Sequence, residues 1–120
     1  MTPDEVSAVV ARELAAFRYD PPAYALVGTP WSAARVARGV EELRAALVPP
    51  RPVSLAVPDP LPPFAGHTAV RPAWIVAEAR GYLVVYDPAA GEFGLAEPGG
   101  GADATDIHVR GDLVGTFLAA

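Results

Sequence analysis

The chain has 120 residues, of which 52% are hydrophobic and 19% charged, and its formal net charge is −5. That length suits a single domain and that composition argues against intrinsic disorder. Cys, Lys, Asn and Gln are absent, which excludes a disulfide framework, a thiolate metal centre, a cysteine nucleophile, a Schiff-base or Walker lysine and an Asn or Gln reader of adenine.

Apart from His and the amino terminus, every cation is Arg, as bacterial GC-rich codon usage would give, and the nine are scattered singly. Duplex nucleic acid requires a concentrated positive surface, so no nucleic-acid partner is expected. The start, Met1-Thr2-Pro3-Asp4-Glu5, is acidic where a signal peptide is basic, and no apolar run approaches the roughly 20 residues of a membrane span. The expectation is a cytoplasmic protein without a membrane partner.

The first helix has Thr2 as cap, Pro3 in its first turn and Glu5 completing a capping box. Val6, Val9, Val10, Leu14 and Phe17 follow at helical spacing. The segment should end near Phe17 or Arg18, before Pro21-Pro22, with Tyr19, Tyr24 and Leu26 tucked over the helix ends. A second helix is predicted with Thr29 as cap and Pro30 in its first turn. Val36, Val40, Leu43 and Leu47 form its stripe, and Ala33 and Ala37 allow close approach. Arg35, Arg38, Glu41, Glu42 and Arg44 take the other face, where Arg38 and Glu42 can pair.

Pro49-Pro50 stops this helix and opens a proline-studded stretch to Pro63. Proline fixes φ and lacks a donor. Only residues 53–57 are therefore expected as a short edge strand, within an extended connector. The period then changes to two. Residues 73–79 and 82–86 flank Arg80-Gly81 as a hairpin, and Asp87-Pro88-Ala89-Ala90-Gly91 makes a turn into a third strand at 92–96. After the Pro98-Gly99-Gly100-Gly101 loop, a fourth strand begins at Asp106. Gly111-Asp112 turns into a last strand at 113–119, so the Arg110-Gly111-Asp112 tripeptide is read as a turn and not as an adhesion tag.

Together these segments predict one α+β domain over 1–120. It comprises two helices (2–48), a Pro-rich connector with a short strand (49–72) and antiparallel hairpins (73–120), giving a β-meander of four to six strands with the helices packed on it. Both faces of the first hairpin are apolar: Trp74, Val76, Tyr82, Val84 and Tyr86 alternate with Ile75, Ala77, Leu83 and Val85. A solvated antiparallel sheet has one polar face, so this hairpin needs two covers. The helices supply one. The proline segment, a curled C-terminal strand or a second copy of the chain must supply the other; in the last case a homodimer interface would centre on Trp74, Tyr82 and Tyr86.

Asp106, His108 and Arg110 share one strand face, where a carboxylate could orient an imidazole and Arg hold an anion. Same-face neighbours on a regular strand lie roughly 6.5–7 Å apart, too far for a tight Asp–His bond, so a solvated face is expected. His67 with Asp59 or Glu78 lacks a metal-site spacing motif; no metal or other cofactor is expected. The glycine loop lacks a P-loop ending, and Ser7, Ser32 and Ser54 have no base beside them. Trp31 is expected as a core anchor. The functional expectation is a non-enzymatic protein-binding domain (adaptor, accessory or immunity-type inhibitor) that presents an apolar sheet face or acidic surface to a protein, itself included. The alternative is a small-molecule-binding protein or enzyme with a pocket between sheet and helices, lined by Trp74, Tyr82 and Tyr86, with His67, His108 or Arg110 as polar groups.

Overall fold

The computed structural model describes residues 1–21, 28–61, 63, 66–100 and 102–120; Tyr24, Leu26 and Gly101 lie outside them. Helix α1 (Pro3–Ala16) has the expected capping box, Thr2 Oγ1 accepting from the Glu5 amide while Glu5 accepts from the Thr2 amide. Its Val6 and Val10 are buried, and Val9, Leu14 and Phe17 pack at their margin. Helix α2 (Ala33–Ala46) starts later than expected. Ser32, not Thr29, is its cap, accepting from the Arg35 amide at 3.1 Å. The Trp31 carbonyl instead accepts from the Tyr19 hydroxyl at 2.6 Å, so a tertiary bond takes the acceptor that an earlier helix start would have used. Ala33 and Ala37 are exposed. Gly39 allows the close approach, to the side chain of Leu118.

Among the described residues five strands follow: β1 (Leu47–Pro58), β2 (Thr68–Ala79), β3 (Tyr82–Asp87), β4 (Glu92–Pro98) and β5 (Ala104–Gly111). They form a meander that closes into a barrel, with β5 beside β1. An up-and-down ring with an odd number of strands must contain one parallel pair. Here that seam pairs only Leu55 with Ala104 and Ala56 with Thr105.

β1 is far longer than the expected 53–57 segment, and its prolines explain how. Pro49 and Pro50 fall where the register with β2 jumps from Leu47↔Ala77 to Arg51↔Ile75. Downstream, the Ser54 amide points away from β2 and donates to Asp103 Oδ2 at 2.9 Å across the seam. By alternation Pro52 points the same way, and its partner Trp74 and the Ser54↔Pro72 pair occupy non-hydrogen-bonded positions. The pyrrolidines therefore cost the β1–β2 ladder nothing, and they leave an outer edge poor in donors.

The hairpin turn has positive φ at both Arg80 (57°) and Gly81 (81°), as a two-residue type I′ hairpin requires. Both faces of the β2–β3 hairpin are covered within the chain. Val76, Ala77, Val84, Tyr86, Phe93 and Leu95 pack with the helices, whereas Leu55, Ala73, Ile75, Leu83, Val85, Ala96 and Ala104 fill the barrel. The second cover is thus the closed barrel, built with the proline strand.

The expected last strand is instead α3 (Leu113–Leu118). Gly111 (φ 153°) turns the chain, and the Asp112 carboxylate accepts from the Gly115 amide at 3.1 Å. Leu113, Thr116 and Phe117 then share a buried helical stripe, which a run rich in β-branched and aromatic residues had disguised. Among the described residues no helix is long and apolar enough to cross a membrane.

Leu55 is fully buried where the interior meets the seam. Leu55→Ala should cost about 3 kcal/mol in urea unfolding. Asp112→Ala should cost about 1 kcal/mol by removing the α3 cap; strand-like Cα chemical shifts over 113–118 in the parent protein would contradict the helix.

Candidate functional site

The barrel interior is divided. Continuing the inward alternation from Ala73, Val85, Ala96 and Ala104 brings Arg71, Asp87, Gly94 and Asp106 to the same face at one end. Arg110, paired in register with Gly94, joins them. Asp87 is the hub, with Oδ2 at 3.2 Å from Arg71 Nη2 and 3.1 Å from Arg110 Nη1. Its Oδ1 also accepts from the Ala89 and Ala90 amides, the forward bonds expected of the turn. Arg110 Nη1 reaches Glu92 Oε1 at 3.1 Å. Two guanidiniums thus meet three carboxylates, of which Asp87 and Asp106 are buried.

Burial opposes the charge on Arg110, but its hydrogen bonds to Asp87 and Glu92 and the nearby Asp106 carboxylate outweigh that penalty. The guanidinium is held above its ordinary value. Its contribution to stability is therefore complete at neutral pH and is lost only in strong alkali.

Asp106, His108 and Arg110 do not form a solvated strand face. β5 advances from Asp106 to Arg110 while β4 advances only from Ala96 to Gly94. The surplus residues bulge, and His108 adopts φ 63°, a conformation uncommon outside glycine. The bulge brings His108 Nδ1 within 3.5 Å of Asp106 Oδ2 and Arg110 Nε within 3.4 Å of Asp106 Oδ1. Asp106 is buried while His108 stays exposed. Asp106 Oδ1 has no hydrogen-bond partner among the described residues, so its contact with Arg110 is electrostatic. Gly94 leaves the space these side chains occupy: a Cβ there would meet the Val109 carbonyl oxygen at 3.4 Å and Asp106 Oδ1 at 3.5 Å.

Two concavities flank the short seam. Beyond Ala56, a groove of about 460 Å³ is lined by Val57, Pro58, Asp59, Pro60, His67, Thr68, Ala69 and His108. Both histidines line it, although no group of three His, Cys, Asp or Glu that could hold a metal occurs among the described residues. Before Leu55 lies the open end of the barrel, a cleft of about 730 Å³. Val53, Ile75 and Leu83 form its apolar floor, and Arg51, Glu78, Arg80, Tyr82 and Asp103 stand round it. Arg51 Nη2 and Glu78 Oε1 are 2.8 Å apart on the rim.

The aromatic candidates do not share an open surface. Tyr86 is buried with its ring 5.0 Å from that of Phe93, and Trp74 and Tyr82 are half-buried against the helix-side core. Of the three, Tyr82 alone lines the cleft. Glu78 pairs with Arg51 and lies away from His67, which lines the other groove with Asp59. Arg71, Asp87 and Glu92 were missed by the sequence reading. Arg71 could have been found as a charge in phase with Ala73 and Ile75, had the strand been extended upstream.

No protein-family model, curated protein or solved structure matches this chain. Any functional reading therefore rests on its own geometry.

Asp87 carries two guanidiniums in a buried position. Asp87→Asn should destabilise the protein by about 3 kcal/mol at neutral pH, because both Arg partners lose their shared counter-charge. A double-mutant cycle with Arg110→Met, followed by urea unfolding, should show strong coupling; additive losses would mean that the network does not hold the barrel end.

Proposed function

We propose that this protein is a non-enzymatic binding module that receives an apolar side chain from a partner protein in the open end of its barrel. The observation carrying this reading is the divided interior. Charged groups joined by ion pairs occupy one end, while at the other Val53, Ile75 and Leu83 floor a cleft beneath a charged rim. A pocket built for a small molecule encloses most of its ligand. This cleft is open, which suits an anchor residue whose own chain rests on the rim. Arg51, Glu78 and Asp103 would select the residues flanking that anchor. The apolar faces of the sheet support this placement indirectly, because helices and barrel closure already use them.

A small-molecule reading draws support from one specific feature, the groove lined by His67 and His108, the latter beside the buried Asp106 carboxylate. The strained backbone at His108 is the kind of cost that accompanies functional sites.

A displayed library of short peptides, followed by chemical-shift mapping of selected binders, separates the two. The binding-module reading expects peptides with one aromatic or aliphatic anchor and shifts centred on Val53, Ile75 and Leu83. Val53→Arg should weaken them about tenfold or more, and exchanging the rim charges at Arg51 and Glu78 should alter which flanking residues are selected. Selection of no anchor, or shifts confined to His67 and His108, would overturn it.

A further inference from the structure

On the helical side of the molecule, a concavity of about 370 Å³ lies between α2, the β2–β3 turn and α3. Arg35, Arg38 and Arg80 line it with Trp31, Glu42 and Leu118. Arg35 and Arg38 are three residues apart on α2 and so share a face. In a chain with 14 acidic side chains and nine arginines, neither makes an ion pair among the described residues. The expected Arg38–Glu42 pair is replaced, because Glu42 takes Arg80.

Arg80 reaches this place from a strained position, φ 57° in the hairpin turn, where Asn, Asp or Gly is the usual occupant. Its guanidinium also donates to the Ala120 main-chain oxygen at 3.1 Å. The Arg35 guanidinium lies over the Trp31 ring, 3.9 Å from its centroid. Stacking uses the face of the guanidinium and leaves its edge N–H groups free for in-plane, bidentate contact with an oxyanion.

On side chains alone, three guanidiniums and one carboxylate give the lining a charge of about +2 in a protein whose formal net charge is negative. We propose that this pocket binds a phosphate monoester in its dianionic form. Its charge balances that of the pocket, and its three terminal oxygens can accept from Arg35 and Arg38 together, with Arg80 as the third positive wall. A carboxylate offers half the charge and two oxygens. Trp31 and Leu118 give the organic part of the ester an apolar surface. Arg80 also borders the barrel mouth, but this site rests on Arg35 and Arg38 of α2, which do not, so either reading can fail alone.

The test is a chemical-shift titration of the full chain at low ionic strength with phenyl phosphate, benzoate, inorganic phosphate and a phosphoserine peptide. Phenyl phosphate should saturate with shifts concentrated at 31–42 and at Arg80, and benzoate should bind about tenfold more weakly. The double variant Arg35→Gln/Arg38→Gln should lose about tenfold or more in phenyl phosphate affinity at an unchanged melting temperature. Arg12→Gln, which alters an exposed Arg outside the pocket, should leave it unchanged. Of phenyl phosphate and the phosphopeptide, the tighter ligand identifies the source as a small metabolite or a phosphorylated chain. Failure to saturate, benzoate binding as tightly, or an equal loss in the Arg12 variant would overturn the site.

Discussion

Closure of a five-stranded meander requires one parallel contact, and much of this molecule follows from where that contact falls. Parallel pairing is slightly weaker per residue than antiparallel pairing, and here it spans only Leu55↔Ala104 and Ala56↔Thr105. Asp103 reinforces it from the side by accepting the Ser54 amide. Because the seam is short, β1 and β5 part on either side of it, and the barrel's larger cleft and the histidine groove open in those two directions.

The two ends of the barrel are held in different ways. At the mouth end, apolar side chains meet without filling the opening. At the other, large polar side chains converge, and the small residues Gly94 and Ala96 on β4 stand opposite Arg110 and Asp106 to make room for them. Replacing such a network with apolar residues can match its stability, so the ion pairs need not be what makes the barrel stable. What they fix is position: Asp87 ties β2, β3 and β5 through one carboxylate. Removing a single partner is costly because the remaining charges stay buried.

The sequence patterns that could be read were those carried by local physics. The capping box at Thr2 and Glu5, the helical stripes, the Arg80-Gly81 hairpin and the Asp87 turn each depend on residues close in the chain. The two-sided burial of the β2–β3 hairpin was also legible, because alternation of two apolar sets leaves no polar face. Much of what was hidden depended on partners distant in sequence, and the last helix on a local cap that its strand-like composition masked. Proline appeared to forbid a long β1, yet its tolerance depends on which neighbour each missing N–H would face. The segment after Gly111 reads as a strand by composition, but its cap and buried stripe make it a helix. Asp106, His108 and Arg110 were assigned one regular face; a bulge against β4 made them a contact cluster, with Asp106 inside the protein.

Arginine is the chain's only long cation, so the residue type alone cannot separate structural charge from charge kept for a ligand. Position can. Arg71 and Arg110 are committed to Asp87, Arg51 to Glu78 and Arg44 to Glu41. Arg80 is held on the helical side by Glu42 and the Ala120 main-chain oxygen, with its guanidinium 5.7 Å from the centre of the Phe117 ring. By drawing Glu42 toward the turn, Arg80 removes the carboxylate that sequence spacing would have given to Arg38. A single strained residue in a tight turn thereby completes the wall of one concavity and leaves positive charge exposed in it. That arrangement gives the left-handed backbone at Arg80 a physical role which a glycine in the same turn, however relaxed, could not fill.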